Sequence, residues 1–230
     1  MHDVGRVLGV DGCRDGWVGI VPDADAPRAY VAEDLSALLT LVEADGPVVR
    51  VGIDIPIGLA DTGWRAADTL AAARLGRRRA SIFRTPVRAA LTARDHAAGV
   101  AISRELSGAG FSIQAWGLRE KILEVDDLVE AGATRLDEVH PEVTFTELGG
   151  QPAAYAKKTW AGQHERLALL AAAGLDLARL VGDVGLAAPD DVVDAAACAW
   201  TARRLARGTA ASLPDPPQPL PDGRTAAIWF

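Results

Sequence analysis

The sequence has few of the residues that build disulfide frameworks or zinc sites. Its 230 residues include two cysteines, Cys13 and Cys198, which lie far apart and form no CxxC pair. A disulfide scaffold and a thiolate zinc site are therefore not supported. We expect both thiols to be small buried apolar groups.

Long apolar runs are also missing. No stretch approaches the roughly 18 residues of a membrane-spanning helix, and residues 1–6 lack the apolar segment of a signal peptide. Hydrophobic residues still make up 49% of the chain and charged residues 24%, which is typical of a globular fold. We expect a cytoplasmic protein with no membrane partner, formed by one domain over 1–230. The oligomeric state stays open.

Positive charge is in deficit, with 24 Lys and Arg against 31 Asp and Glu and a formal net charge of -7. This balance argues against binding nucleic acid by overall attraction. A local basic channel is still compatible with the sequence, because arginines crowd into residues 74–94. Such a segment either tracks phosphates or forms a solvated helix face. Its members are Arg74, Arg77, Arg78, Arg79, Arg84, Arg88 and Arg94.

Two common catalytic motifs are absent. Without a Gly-x-Ser-x-Gly elbow, a serine hydrolase of the α/β type is poorly supported. The Lys157-Lys158-Thr159 segment lacks the glycines of a Walker loop. It still offers a cation to a phosphate, and we take Lys158 as a candidate substrate contact.

The order of apolar segments predicts an α/β fold. Strands are expected at residues 5–10 and 17–21 as a hairpin, then at 30–32, 48–55 and 135–140. Helices are expected at residues 35–42, 163–173 and 189–207, the first capped by Asp34. A mostly helical insertion is predicted over about 63–130, and a Pro-rich extended tail over about 213–230.

Carboxylates at the ends of these elements are the main functional clue. Asp11 and Asp54 each end an apolar strand, where a buried charge loses several kcal/mol of hydration unless a cation or donors replace the water. Asp191 and Asp194 share one helix face. The remaining candidates, Glu138, His140 and Glu142, are spaced by two, which would place them on one face of an extended chain.

Oxygen ligands from several elements, with few His or Cys, favour Mg²⁺ or Mn²⁺ over zinc. Simpler roles are also open: Asp11 ordering its turn, Asp190 capping a helix, and His140 serving structure alone. The carboxylates suffice for a pair of divalent cations about 4 Å apart.

Six segments together make the chain similar to a bacterial family of unknown function, described as predicted nucleases with a ribonuclease-H-like fold. They cover almost the full chain. The segments are Val10-Asp11-Gly12-Cys13-Arg14-Asp15-Gly16-Trp17, Gly52-Ile53-Asp54-Ile55-Pro56-Ile57-Gly58-Leu59, Ser81-Ile82-Phe83-Arg84-Thr85-Pro86, Lys121-Ile122-Leu123-Glu124-Val125-Asp126, Glu138-Val139-His140-Pro141-Glu142 and Asp191-Val192-Val193-Asp194-Ala195.

The resemblance implies a ribonuclease-H-like mixed sheet, with antiparallel strands 1–3 and later parallel strands, flanked by helices. It implies metal ligands at Asp11, Asp54, Asp191 and Asp194, with Glu142 as a further catalytic carboxylate. From the residues alone, Glu138 and His140 are candidate accessory groups, and Glu138 is equally explained as a surface residue. The implied reaction is two-metal phosphodiester hydrolysis. The implied substrate contacts are Arg79, Arg84, Arg88, Gln114, Trp116 and Lys121, although Trp116 is equally explained as core.

Two other function classes compete with a nuclease. A nucleotide-dependent phosphotransferase like actin or the sugar kinases would bind phosphates at the turn over residues 12–16. A non-catalytic module would bind nucleic acid or nucleotide on the same fold. Metal-dependent stabilisation favours the nuclease, and nucleotide-dependent stabilisation favours the phosphotransferase. The substrate of a nuclease is left open between nucleic acid and a small phosphoester.

Overall fold

The computed structural model describes residues 5–230; residues 1–4, part of the segment considered for a signal peptide, lie outside the described residues. The strands are β1 (Arg6–Cys13), β2 (Gly16–Val21), β3 (Arg28–Ala32), β4 (Val48–Ile53), β5 (Leu136–Glu138), β6 (Val181–Gly182), β7 (Ser212–Pro219) and β8 (Thr225–Trp229). The helices are α1 (Leu35–Glu43), α2 (Ala66–Leu75), α3 (Arg88–Leu91), α4 (His96–Ser107), α5 (Ile113–Gly117), α6 (Arg119–Glu130), α7 (Pro141–Gly149), α8 (Trp160–Ala172) and α9 (Pro189–Ala206).

The chain divides into two compact units. The first contains the residues up to 55, 134–211 and 229–230, and the second contains 56–133 and 212–228. The second unit therefore holds the predicted insertion and most of the predicted tail.

A six-stranded sheet in the order β5-β4-β1-β2-β3-β6 organises the first unit. Strands β1, β2 and β3 pair antiparallel, whereas β4 and β5 run parallel on the other side of β1. The predicted mixed sheet is confirmed. Strand β6, which pairs parallel with β3, was not predicted, because two exposed residues carry no periodic signal.

Local signals explain several of the element boundaries. Asp34 accepts a hydrogen bond from the Ala37 amide at 2.7 Å and so caps α1, as predicted. Helix α8 begins at Trp160, earlier than expected, because the Thr159 hydroxyl caps it by accepting from the Gly162 amide. Both cysteines are buried free thiols, which confirms the prediction made for them.

Helix α9 packs on β1, β4 and β2 at very short range. A Cβ atom added at Gly9 would lie 2.0 Å from the Ala199 nitrogen and 2.1 Å from the Ala195 oxygen. One added at Gly52 would lie 2.6 Å from the Cys198 oxygen. Glycine on the strands and alanine on the helix therefore allow the two backbones to touch.

The second unit consists of helices α2 to α6 and a two-stranded sheet of β7 and β8. The Pro-rich segment is therefore paired rather than only an extended tail. Proline is tolerated there because a two-stranded sheet consists of edge strands, where a missing N–H is harmless. Helix α2 meets this sheet through its Ala66 amide, which donates to Gln218 Oε1 at 2.8 Å.

Among residues 5–230, no helix has both the length and the apolar character needed to cross a membrane.

We expect Gly9→Ala to lower the free energy of unfolding by about 3 kcal/mol, because the methyl group overlaps backbone that cannot move away without shifting α9. Urea or thermal unfolding measures the change. Gly117→Ala is the matched control, since nothing lies within 4 Å of a Cβ there, and its effect should stay within about 1 kcal/mol. Equal stability of the two variants would contradict the close packing of α9 on β1.

Candidate metal centre

Asp11 and Asp54 lie side by side where the parallel pairing of β1 and β4 ends. Asp11 lies inside β1, which continues to Cys13, and Asp54 directly follows β4. The β1–β4 register pairs Val10 with Ile53, and each aspartate follows directly. The Asp54 amide donates to the Val10 oxygen at 3.0 Å, so the pairing of the strands continues to this position. Asp11 is 8% exposed and Asp54 is half-buried. Parallel neighbours thus bring two carboxylates to one edge of the sheet.

Helix α9 supplies the third carboxylate. Asp194 is only 2% exposed, and it lies one turn before Cys198, whose carbonyl touches Gly52. The close contact between helix and sheet therefore holds Asp194 against the strand ends. An aspartate inside an alanine-rich buried segment, as at residues 193–199, is explained by this position.

Oxygen atoms of Asp11, Asp54 and Asp194 all lie within 4.8 Å of one another. Asp194 Oδ1 is buried and accepts no hydrogen bond from the described residues. A buried carboxylate oxygen without a donor is costly, and a cation would satisfy it. Three hard oxygen ligands of this kind suit a divalent ion such as Mg²⁺ or Mn²⁺. The donor set therefore fits a divalent metal.

A lysine lies among these carboxylates. Lys157 Nζ donates to Asp194 Oδ2 at 2.5 Å and lies 3.8 Å from Asp190 Oδ2. Burial by itself would lower the pKa of Lys157, but the charges of Asp194, Asp54 and Asp11 hold that pKa above its ordinary value. Lys157 is therefore a fixed cation of the cluster.

The same burial raises the pKa of each aspartate. For Asp54 and Asp194 the pKa rises from 3.8 to about 7 in spite of the opposing charge of Lys157. The pKa of Asp11 is raised well above its ordinary value, first by burial and then by the charges of Asp54 and Asp194. The three groups thus repel one another when ionised, and a metal ion would relieve that repulsion.

A family described as "Protein of unknown function (DUF429)" matches residues 9–219. The chain belongs to this family. The matched span includes the three clustered aspartates and Lys157. Searches of curated proteins and of solved structures found no match.

In this DUF429 chain, Asp190, Asp191 and Asp194 lie close together in the sequence but have different partners at the start of α9. Asp191 Oδ2 accepts from the Ala188 amide at 3.1 Å, so Asp191 binds the first turn of its own helix. It does not belong to the group of three that lies within 4.8 Å. The capping role expected of Asp190 falls to Asp191, and Asp190 instead faces Lys157.

Glu142 is bound by a buried arginine. Arg166 has no exposed surface, and its Nη2 donates to Glu142 Oε1 at 2.5 Å. Its Nη1 donates to the carbonyl oxygens of Tyr155 and Gly162. The charge of Glu142 raises the pKa of Asp54 and Asp194, so it lies near the cluster. Glu142 Oε2 is buried and accepts no hydrogen bond within residues 5–230.

The expectation that Glu138, His140 and Glu142 share one face of an extended chain is wrong. Glu138 ends β5 and is buried, and His140 has the extended conformation of an N-cap. Glu142 then lies in the first turn of α7, because Pro141 starts the helix. The change from extended chain to helix breaks the period of two.

The predicted substrate arginines all belong to the second unit. Arg88 forms ion pairs with Asp126 and with Glu130, which gives it a structural role inside that unit. Arg84 is exposed and lies 5.0 Å from the centre of the Trp64 ring. Arg79 is exposed at the end of the 3-10 turn over Gly76–Ser81.

The remaining second-unit candidates surround an aromatic cluster. Trp116 is half-buried, with ring centres 6.0 Å from His96 and 6.3 Å from Phe111, and the Arg119 guanidinium lies 4.5 Å from its ring. This packing matches the core interpretation of Trp116. Gln114 is exposed on α5, and Lys121 is half-buried on α6. In the first unit, the candidate Lys158 is exposed.

Sequence reasoning missed the roles of Lys157 and Arg166. Lys157 was considered only as part of a cationic segment in which Lys158 was preferred. The two lysines are neighbours in sequence, but only one points toward Asp194, and nothing in the residue types separates them. Arg166 is one of several polar residues in the first half of α8. Because a fully buried arginine is rare, its burial is not expected from the sequence.

Asp11→Asn should stabilise the metal-free protein at pH 8 by about 1–3 kcal/mol. The raised pKa values mean that folding takes up protons, so stability falls as pH rises from about 4 to about 7, where Asp54 and Asp194 lose their protons. Removing one buried charge relieves that loss. Chemical unfolding at pH 5 and pH 8 measures the effect, which should be smaller at pH 5.

The same variant should lose the stabilisation that Mn²⁺ gives the parent protein at pH 8, because a cation ligand is gone. Asp15→Asn is the control: Asp15 is exposed in the β1–β2 turn, and the variant should behave as the parent in both assays. An Asp11→Asn effect that is equal at pH 5 and pH 8 would argue against the raised pKa values.

Arg166→Met should lower the free energy of unfolding by about 3–5 kcal/mol, because it leaves the buried carboxylate of Glu142 without its charged partner. Adding Glu142→Gln should restore part of that loss by removing the unpaired charge. Denaturant unfolding of both variants at pH 8 measures the two effects. If the double variant is no more stable than Arg166→Met, the ion pair is not the reason for the loss.

Proposed function

We propose that this protein is a metal-dependent hydrolase of phosphodiester bonds, with nucleic acid as its substrate class. The observation that carries the proposal is the convergence of Asp11, Asp54 and Asp194 from three different elements to within 4.8 Å. Carboxylates this close are costly unless a cation binds them. Enzymes of phosphoryl transfer bind hard cations through such carboxylate ligands.

The arrangement of the sheet supports a ribonuclease-H-like assignment. A central β1 carries one carboxylate, an antiparallel meander lies on one side, and parallel strands lie on the other. The last long helix brings a further carboxylate back to β1. These features agree with the resemblance to predicted nucleases that the sequence motifs carry.

In this proposal Asp11, Asp54 and Asp194 hold Mg²⁺ or Mn²⁺. A divalent cation bound there would supply Lewis acidity for activating water and stabilising phosphoryl oxygen charge. The burial of Asp11 and Asp194 excludes water from one side of the site and so strengthens each charge interaction there. Glu142 binds Arg166 of α8 and is left out of this ligand set, because the oxygens that lie within 4.8 Å of one another belong to Asp11, Asp54 and Asp194.

The exposed arginines of the second unit are the proposed phosphate contacts. Arg79 and Arg84 present guanidinium groups to solvent, and such groups bind phosphate oxygens in pairs. Arg84 beside Trp64 also offers a surface on which a base could stack. Arg88 is left out of this set because Asp126 and Glu130 already bind it.

The test is cleavage of single-stranded, duplex, hybrid and branched nucleic acids, with bis(p-nitrophenyl) phosphate as a small diester, in Mg²⁺ or Mn²⁺. We expect cleavage that stops in EDTA. Asp11→Asn and Asp194→Asn should each reduce the rate by at least about a hundredfold, which corresponds to about 3 kcal/mol of transition-state stabilisation.

Asp15→Asn is the matched control and should cleave at the parent rate, because its side chain is exposed outside the cluster. Cleavage of the small diester alone would replace nucleic acid by a small phosphoester as the substrate. Metal binding without cleavage of any substrate would overturn the hydrolase and favour a binding module on the same fold.

A further inference from the structure

We propose that the ammonium group of Lys157 takes the place of a second divalent cation, so that the centre binds one metal ion and not two. The inference rests on the metal site of the proposed function and specifies its composition. It assigns Lys157 as the second positive charge at the centre.

The position of Lys157 is built into the fold. Its carbonyl oxygen accepts a hydrogen bond from Gln163 Nε2 at 2.6 Å, which ties the residue to α8. The turn just after it is tight: a Cβ added at Gly162 would lie 2.0 Å from the Ala156 oxygen. The backbone of Lys157 is therefore held at the start of α8, and the side chain reaches Asp194 from a fixed point.

Asp194 divides its two oxygens between different partners. Oδ2 accepts from Lys157 Nζ at 2.5 Å, whereas Oδ1 is buried and accepts no hydrogen bond from the described residues. The lysine thus satisfies one oxygen and leaves the other for a metal ion. A cation that binds Oδ1, Asp11 and Asp54 would share the carboxylate with Lys157 rather than displace it.

The charge balance favours a single ion. Three ionised aspartates and one ammonium group leave two negative charges, which one divalent cation neutralises. Two divalent cations beside the lysine would place five positive charges against these three carboxylates and Asp190, whose Oδ2 lies 3.8 Å from Lys157 Nζ. Because charges within about 4 Å interact strongly where water is excluded, the second divalent ion would be repelled.

The proposal also gives the lysine a task in phosphodiester hydrolysis. In two-metal sites, the ions stabilise both the attacking and the leaving oxygen. With one metal ion, the ammonium group of Lys157 supplies the other positive charge beside the phosphate. It makes this contribution through its position, because its Nζ donates to Asp194 Oδ2 at 2.5 Å.

Counting bound Mn²⁺ tests the proposal, by isothermal titration calorimetry and by electron paramagnetic resonance of the unbound ion. The parent protein should bind one equivalent at this centre. Lys157→Met keeps the aliphatic length but removes the charge. We expect this variant to bind the first ion at least about tenfold more tightly, since a repulsive neighbour is gone, and to accept a second equivalent.

Lys158→Met is the matched control, because it removes the same charge from the adjacent, exposed residue. It should bind one equivalent with the parent affinity. Lys157→Arg keeps the positive charge and should also bind one equivalent. Circular dichroism melting establishes that each variant is folded before titration.

Two equivalents in the parent protein would overturn the proposal, whether or not Lys157→Met folds. So would no binding by the parent, or a folded Lys157→Met that binds one equivalent with unchanged affinity. The outcomes separate the two proposals: one equivalent without cleavage removes the hydrolase and keeps the lysine, whereas two equivalents with cleavage does the reverse.

Discussion

The contact between α9 and the central strands is the constraint on which the centre depends. Gly9 and Gly52 have no side chain to hold the helix away, so its backbone lies directly on β1 and β4. That distance places Asp194 beside Asp11 and Asp54 within 4.8 Å. A larger residue at either glycine would move the helix outward, and the three carboxylates would separate.

This packing concentrates negative charge where water is scarce, and the surrounding groups offset the cost. Lys157 binds one oxygen of Asp194. Protonation of Asp54 and Asp194, whose pKa values are raised, removes more of the negative charge. Farther out, Arg166 neutralises Glu142 in a separate buried pair. A ligand that binds only the folded protein stabilises it, so a cation bound here would offset the repulsion among the three aspartates.

The candidate metal centre and the second-unit candidates differ in whether their side chains already have partners within the protein. In the first unit, Asp194 retains a buried oxygen with no hydrogen bond within the described chain. In the second unit, Arg88 is held by two carboxylates and Trp116 by its aromatic neighbours. Residue type alone made both segments candidates. Partnering distinguishes side chains that support the fold from those with capacity for a ligand.

The sequence by itself determined the α/β class, the cap at Asp34 and the placement of Asp11 and Asp54 beside apolar strand segments, because strand period and capping are local signals. The mixed order of the strands was expected only from the resemblance that the six motifs carry, and the structure confirms it. Only the tertiary structure decided that Asp194 joins them while Asp191 caps α9, and that Lys157 rather than Lys158 enters the centre. It likewise paired the Pro-rich segment into β7 and β8. Which side chains meet depends on the distances between remote segments after packing. Neighbouring residues of the same type, such as Lys157 and Lys158, differ only in the direction of their side chains, and the sequence does not show that direction.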